Sequence, residues 1–183
     1  MKAVRKKDNF DAFIAHRSFL IKSYSNGEIT KREFLKKNYE YFISGNAKPF
    51  IKIDLYEKGM YNYQYFNGLA KYYKMMAREV RNTKKHSKYY NYYLNLGQKY
   101  YEEKDNSVID ILKLIDFKNV ECYFINCDSK GLEGELFEIV LNDKKEAIFH
   151  SKSEDILKLC KENNVFYPDK RDSLISEYIN EKY

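Results

Sequence analysis

The chain has 183 residues with 44% hydrophobic and 33% charged side chains, enough for one sizeable domain or two small ones, and an ordinary globular balance. Nineteen Tyr and twelve Phe against seven Gly and two Pro exclude a disordered chain, and three cysteines exclude a disulfide framework. The net charge of +6 is unevenly spread: residues 1–104 carry +12 and residues 105–183 carry −6, an asymmetry that marks either a polyanion-facing half or two parts that attract each other.

The first predicted helix starts at an Asp8 or Asn9 cap. Its positions Phe10, Phe13, Ile14, Arg17, Leu20, Ile21 and Tyr24 recur at steps of three and four, an amphipathic pattern, and Gly27 stops it. Thr30 then caps a second helix, with Glu33 three residues later in capping-box position. Its inner face is Phe34, Leu35, Asn38, Tyr41 and Phe42, and Ser44-Gly45 ends it, so the two helices form an αα-hairpin. An irregular segment from Phe50 to Leu55 follows Pro49.

A third helix is expected from about Glu57 to Asn82, with a wide apolar stripe through Tyr65, Phe66, Leu69, Tyr72, Tyr73, Met76, Ala77 and Val80. Gly68 within it permits a close helix contact. Ser87 caps a fourth helix carrying Tyr90, Tyr93, Leu94, Gly97, Tyr100 and Tyr101, and Asp105-Asn106-Ser107 reads as a break before a short fifth helix. After Lys118 the periodicity becomes alternating. Val120 to Asn126, Leu132 to Leu141 and Ala147 to His150 read as a three-stranded antiparallel meander, followed by helices capped by Ser153 and Asp169.

The expected fold class is therefore α+β: a basic helical part over residues 1–118 packed with a small acidic α+β part over residues 119–183, forming one compact unit. The basic N-terminus is not followed by an uninterrupted apolar run, and free thiols suit a reducing compartment, so the expected location is cytoplasmic with no membrane partner. The excess of Lys over Arg and the wealth of Asn and Tyr point to a low-GC bacterial or phage genome.

One constellation carries a binding chemistry. Asn67, Lys71, Lys74, Arg78, Arg81 and Lys85 fall at steps of four and three along the third helix, which places them on one face, and Lys84 and Lys88 extend the patch. Cations in such a row neutralise phosphates, and nearby Tyr rings offer stacking surfaces. The opposing reading is a solvated helix face in a Lys-rich chain. In the second helix Lys31-Arg32 and Lys36-Lys37 suit a groove-entering helix, but a third supporting helix and base-reading polar positions are not identifiable, and an ordinary αα-hairpin is commoner.

No catalytic signature is present. Cys122 and Cys127 are five apart, which points them to opposite faces of a strand, and His16, His86 and His150 are scattered. A nucleophile pair of Cys122 or Cys160 with His150 is outweighed by buried thiols acting as small hydrophobes. Glu133 and Glu135 share a strand face, most simply the solvent side. GxGxxG, GxxxxGK[ST] and GxSxG are all absent. No cofactor or metal is expected.

The stretch Gly27-Glu28-Ile29-Thr30-Lys31-Arg32-Glu33-Phe34 resembles the G-x-I-T-x-x-E-F helical element of the small bacterial domains called SHOCT, a resemblance that implies oligomerisation or binding. The Tyr-, Lys- and Asn-rich helices, such as Lys88-Tyr89-Tyr90-Asn91-Tyr92-Tyr93, are similar to uncharacterised proteins of clostridial and related bacteria. The reading that follows is an interaction or regulatory protein without catalysis, its partner another protein or a second copy of itself. A nucleic-acid-binding protein using Lys71, Lys74, Arg78, Arg81, Lys84, Lys85 and Lys88 is the alternative, and an enzyme whose site is not visible in sequence stays open.

Overall fold

The structure, a computed structural model, describes residues 4–45, 47–81, 87–114, 120–126, 135–141 and 144–151, together with Asp155, Lys158, Leu159 and Glu162. The chain divides into two compact units, Met1–Ser107 and Val108–Tyr183. The first is built from helices α1 (Val4–Ser25), α2 (Lys31–Ile43) and α3 (Tyr56–Arg81) and most of α4 (Ser87–Leu114).

Local chemistry sets the ends of α1 and α2. Gly27 and Gly45 adopt φ of 74° and 77°, the left-handed region where a side chain is strained, so each suits a stop after a helix. Between them Thr30 accepts from the Glu33 amide while the Glu33 carboxylate accepts from the Thr30 amide at 2.8 Å, a complete capping box. The bond from the Thr30 amide, with a second from the Thr30 hydroxyl at 2.9 Å, holds the Glu33 carboxyl below its ordinary range.

Neighbouring helices run antiparallel. In the α1–α2 hairpin Tyr24 meets Phe34, His16 stacks on Tyr41 and Phe13 meets Phe42. Between α2 and α3, Arg32 pairs with Glu79, Tyr39 stacks on Tyr72 and Phe42 meets Tyr65. At Gly68 the Phe42 ring of α2 packs directly on the α3 backbone: a Cβ there would lie 2.7 Å from Phe42 Cε2. Between α3 and α4, Tyr73 stacks on Tyr93 and Tyr100, and Gly97 lies over the backbone of Ala70 and Lys74.

The core holds Phe13, Phe42, Ala47, Tyr61 and Leu69, with Phe10, Tyr39, Tyr41, Phe50, Tyr65 and Tyr100 packed around them. Burial pushes the Tyr61 hydroxyl up to about 12. The irregular segment after Pro49 is pinned by buried Asn62, whose side-chain oxygen accepts from the Phe50 amide (2.8 Å) and whose amide donates to the Phe50 carbonyl (2.9 Å).

Four sequence expectations are corrected. The helix α1 begins at Val4, upstream of the Asp8 or Asn9 cap. From residue 10 onward its buried positions are Phe13, Leu20 and Ser23, whereas Ile14, Ile21 and Tyr24 are exposed. The break at Asp105-Asn106-Ser107 does not occur. There Ser107 Oγ donates to the Glu103 carbonyl at 2.9 Å, Lys104 is buried beside Asp105 at 2.9 Å, and buried Val108 extends the same face.

The fourth correction is the α+β class. The part of the chain whose packing is described is helical, and the described residues up to Ser107 hold no strand. The strands β1 (Val120–Asn126), β2 (Glu135–Leu141) and β3 (Lys144–Ser151) lie in the second unit and pair antiparallel in that order. Their register sets Phe124 opposite Phe137 and Phe137 opposite Phe149, and shifts between Ile139 and Val140. Alternation in the last third of the sequence marks these strands, but apart from Ala47 the buried residues described all lie in the helices. The last expected helix, capped by Asp169, lies outside the described residues.

Candidate nucleic-acid interface

The inner side of α3 is fixed by burial of Tyr61, Leu69, Ala70 and Ala77. A helix turns 100° per residue, so residues set away from that side face outward. The structure places Lys74, Arg78 and Arg81 there, all exposed, with Lys71 half-buried on the same row. Lys88 is exposed in the first turn of α4. Lys84 and Lys85 lie outside the described residues. Five of the seven basic positions singled out in sequence are thus on α3 and the start of α4.

The electrostatics of the row are one-sided. Among the described residues Arg78, Arg81 and Lys88 carry no ion pair. Glu79 is the carboxylate nearest them in sequence, and it is engaged elsewhere: Arg32 Nε donates to its Oε1 at 2.7 Å. Lys74 places its ammonium 5.7 Å from the centre of the Tyr101 ring, a cation–π distance.

Three features of the helical unit were not read from the sequence. The first is Lys104, only 4% exposed, with its ammonium 5.5 Å from the Tyr101 ring centre and 5.9 Å from that of Tyr63. Burial pushes its pKa down, and Asp105 opposes the shift. The signal was available, since Lys104 stands three and seven residues after Tyr101 and Gly97 on one helix face. The second is the tyrosine stack. Tyr39 lies 3.9 Å from Tyr72 and Tyr73 lies 5.6 Å from Tyr100, each pair at 7° between ring planes. Burial raises the Tyr73 hydroxyl, which also donates to Tyr39 at 3.4 Å.

The third is His16. Its ring stacks on Tyr41 at 4.1 Å, and its Nε2 is buried with no hydrogen-bond partner among the described residues. Burial lowers its pKa, against a hydrogen bond to the Lys37 backbone.

The alternative readings of other residues fare differently. Helix α2 shows Lys31, Arg32, Lys36 and Lys37 on its exposed side, but Arg32 is committed to Glu79 and Lys36 lies 3.7 Å from Glu40. Cys127, Glu133 and Cys160 lie outside the described residues. At the Cα level β1 and β2 set Cys122 opposite Ile139, and β2 and β3 set Leu136 opposite His150. No group of three or more His, Cys, Asp or Glu suited to a metal occurs among the described residues. No helix among them is long and apolar enough to cross a membrane.

No curated protein and no solved structure matches the chain. A family model does match, over residues 3–183, and the protein accordingly belongs to that family of unknown function, DUF6648.

Proposed function

We propose that the protein is a non-enzymatic nucleic-acid-binding module, using the outer face of α3 and the start of α4. The observation that carries this reading is the exposure of Lys74, Arg78, Arg81 and Lys88, three of them without an ion pair among the described residues, while the nearby Glu79 carboxylate is neutralised by Arg32. A row of cations whose sequence neighbour Glu79 is already paired with Arg32 presents positive charge to a phosphate backbone. The net charge of +12 over residues 1–104 adds long-range attraction of the same sign. The Lys-, Asn- and Tyr-rich composition supports a low-GC bacterial or phage source, the odd number of cysteines suits a reducing cytoplasm, and the SHOCT-like stretch at 27–34 supports a binding role.

The test is fluorescence anisotropy with labelled mixed-sequence oligonucleotides across a range of salt. Engagement of the four named cations gives a log–log salt slope on the order of 3, and Arg78→Glu with Arg81→Glu abolishes it while the helical circular dichroism is unchanged. Equal binding by that double variant refutes the assignment.

A protein partner, or a second copy of this chain, is the second reading. It is favoured by Ile14, Phe19, Ile21 and Tyr24, all large and exposed on α1. Sedimentation at rising concentration, for the wild type and for Phe19→Ser with Ile21→Ser, tests self-association.

A further inference from the structure

The tip of the α3–α4 hairpin carries exposed rings as well as cations. Arg78 and Arg81 stand in the last turn of α3, and Lys88, Tyr89 and Tyr92 occupy the first two turns of α4. Most tyrosines of the helical unit are spent on packing: Tyr61 and Tyr63 are buried, Tyr65 is half-buried against the core, and Tyr39, Tyr73 and Tyr100 are half-buried in the stack. Tyr89 and Tyr92 are not. They are 60% and 57% exposed, three residues apart, on the helix that begins with Lys88. Residues so spaced lie side by side on a helix, about 5–6 Å apart at Cβ. Tyr92 is steadied from one side by Tyr93, 5.4 Å away at 61°, and Tyr93 in turn stacks on Tyr73. That ring is held in place, yet more than half of it is open.

The form of the nucleic acid follows from what these rings can meet. In a duplex the base faces are already covered by neighbouring bases, and an exposed tyrosine has only groove edges and phosphates to touch. An unpaired strand offers open base faces, and the common way to hold one is a cationic track with rings beside it. Resting on the nucleic-acid reading above, we propose that the α3–α4 tip selects single-stranded nucleic acid. Arg78, Arg81 and Lys88 hold phosphates, and Tyr89 and Tyr92 each stack on a base of the same strand.

The experiment uses the full chain and fluorescein-labelled oligo(dT), oligo(U) and a mixed-sequence duplex of equal length, about 16 nucleotides, at one moderate salt concentration. The single strands bind more tightly than the duplex. Tyr89→Ala and Tyr92→Ala each weaken single-strand binding about fivefold or more and leave duplex binding unchanged. Tyr89→Phe and Tyr92→Phe keep wild-type affinity, because stacking needs the ring and not the hydroxyl. Duplex binding as tight as single-strand binding, or Ala variants that bind single strands like the wild type, overturns this inference and leaves the nucleic-acid reading standing. Absence of binding to all three probes removes both. Circular dichroism melts of the Ala variants separate loss of a stacking ring from loss of the fold.

Discussion

Gly68 of α3 sits against the Phe42 ring of α2 so closely that a Cβ at position 68 would stand 2.7 Å from Phe42 Cε2 and 3.1 Å from Cζ. Gly97 of α4 makes an otherwise similar approach, to the backbone of α3, but there an added Cβ would find its nearest atom at 3.5 Å. The two glycines therefore answer differently to the same substitution. Gly68→Ala forces the Phe42 ring, part of the buried core, out of place and lowers stability by about 1–3 kcal/mol. Gly97→Ala meets ordinary contact distances and gains up to about 1 kcal/mol from helix propensity. Urea titrations of both variants read the opposite signs.

Asn62 holds both backbone groups of Phe50 with its side-chain amide, and it is itself buried. Asn62→Ala leaves a donor and an acceptor without their partner and costs about 1–3 kcal/mol. Asn62→Asp keeps the acceptor but brings a carboxylate against the Phe50 carbonyl, and is expected to be at least as damaging near neutral pH. Thermal melts of the two variants give the order.

The folded-state pKa of His16 lies below its ordinary value because burial disfavours the imidazolium. The unfolded chain then binds the proton more readily than the folded one. The His16 contribution is complete above the unfolded value of about 6.5 and is lost as pH falls toward the folded value. The wild type therefore loses melting temperature between pH 7.5 and pH 5.5. His16→Phe keeps a ring on Tyr41 but has nothing to titrate, so its melting temperature changes less over the same interval.

Glu79 is the acidic neighbour of Arg78 in the last turns of α3 and is neutralised by Arg32. Glu79→Gln removes the negative charge and releases Arg32, so on the proposed function it tightens oligonucleotide binding and steepens its salt dependence. Arg32→Gln works in the opposite sense by exposing the Glu79 charge to the strip. Anisotropy titrations at two salt concentrations distinguish the two.

Lys104 is buried beneath Tyr63 and Tyr101. An acylating reagent at low dose labels exposed Lys74 and Lys88 well before Lys104 in the native protein, and unfolding in urea removes the difference. Peptide mass spectrometry after graded acetylation shows the order.

Much of the helical unit was legible because its signals are local. Thr30 and Glu33 announce a capping box by type and spacing, Gly27 and Gly45 mark helix ends, and Asn38 was placed correctly on the inner face of α2, where it is buried and donates to the Phe34 carbonyl. The misreadings arose where tertiary packing outweighed local preference. Asp105, Asn106 and Ser107 favour a break in isolation, yet buried Lys104 and Val108 on either side hold α4 in one piece. On α1 the apolar residues were too many for one face, and packing alone decided that Phe13 and Leu20 go inside and Ile14 and Ile21 do not. The basic row was visible by spacing. The pairing of its neighbour Glu79 was not, because Arg32 and Glu79 are 47 residues apart. The open rings of Tyr89 and Tyr92 stand among look-alike Tyr doublets, and only burial distinguishes them.

The tyrosine stack has an optical consequence. The chain contains no Trp, so its ultraviolet emission comes from tyrosine alone. With Tyr39, Tyr72, Tyr73, Tyr93 and Tyr100 each within 6.3 Å of another member, excitation passes from ring to ring before it is emitted and loses its polarisation. Unfolding separates Tyr39 from Tyr72 and Tyr73 from Tyr93 and Tyr100, and so changes that transfer. The native fold thus carries a built-in, label-free gauge of its own packing, one that answers to the closeness of α2, α3 and α4 and not to helix content.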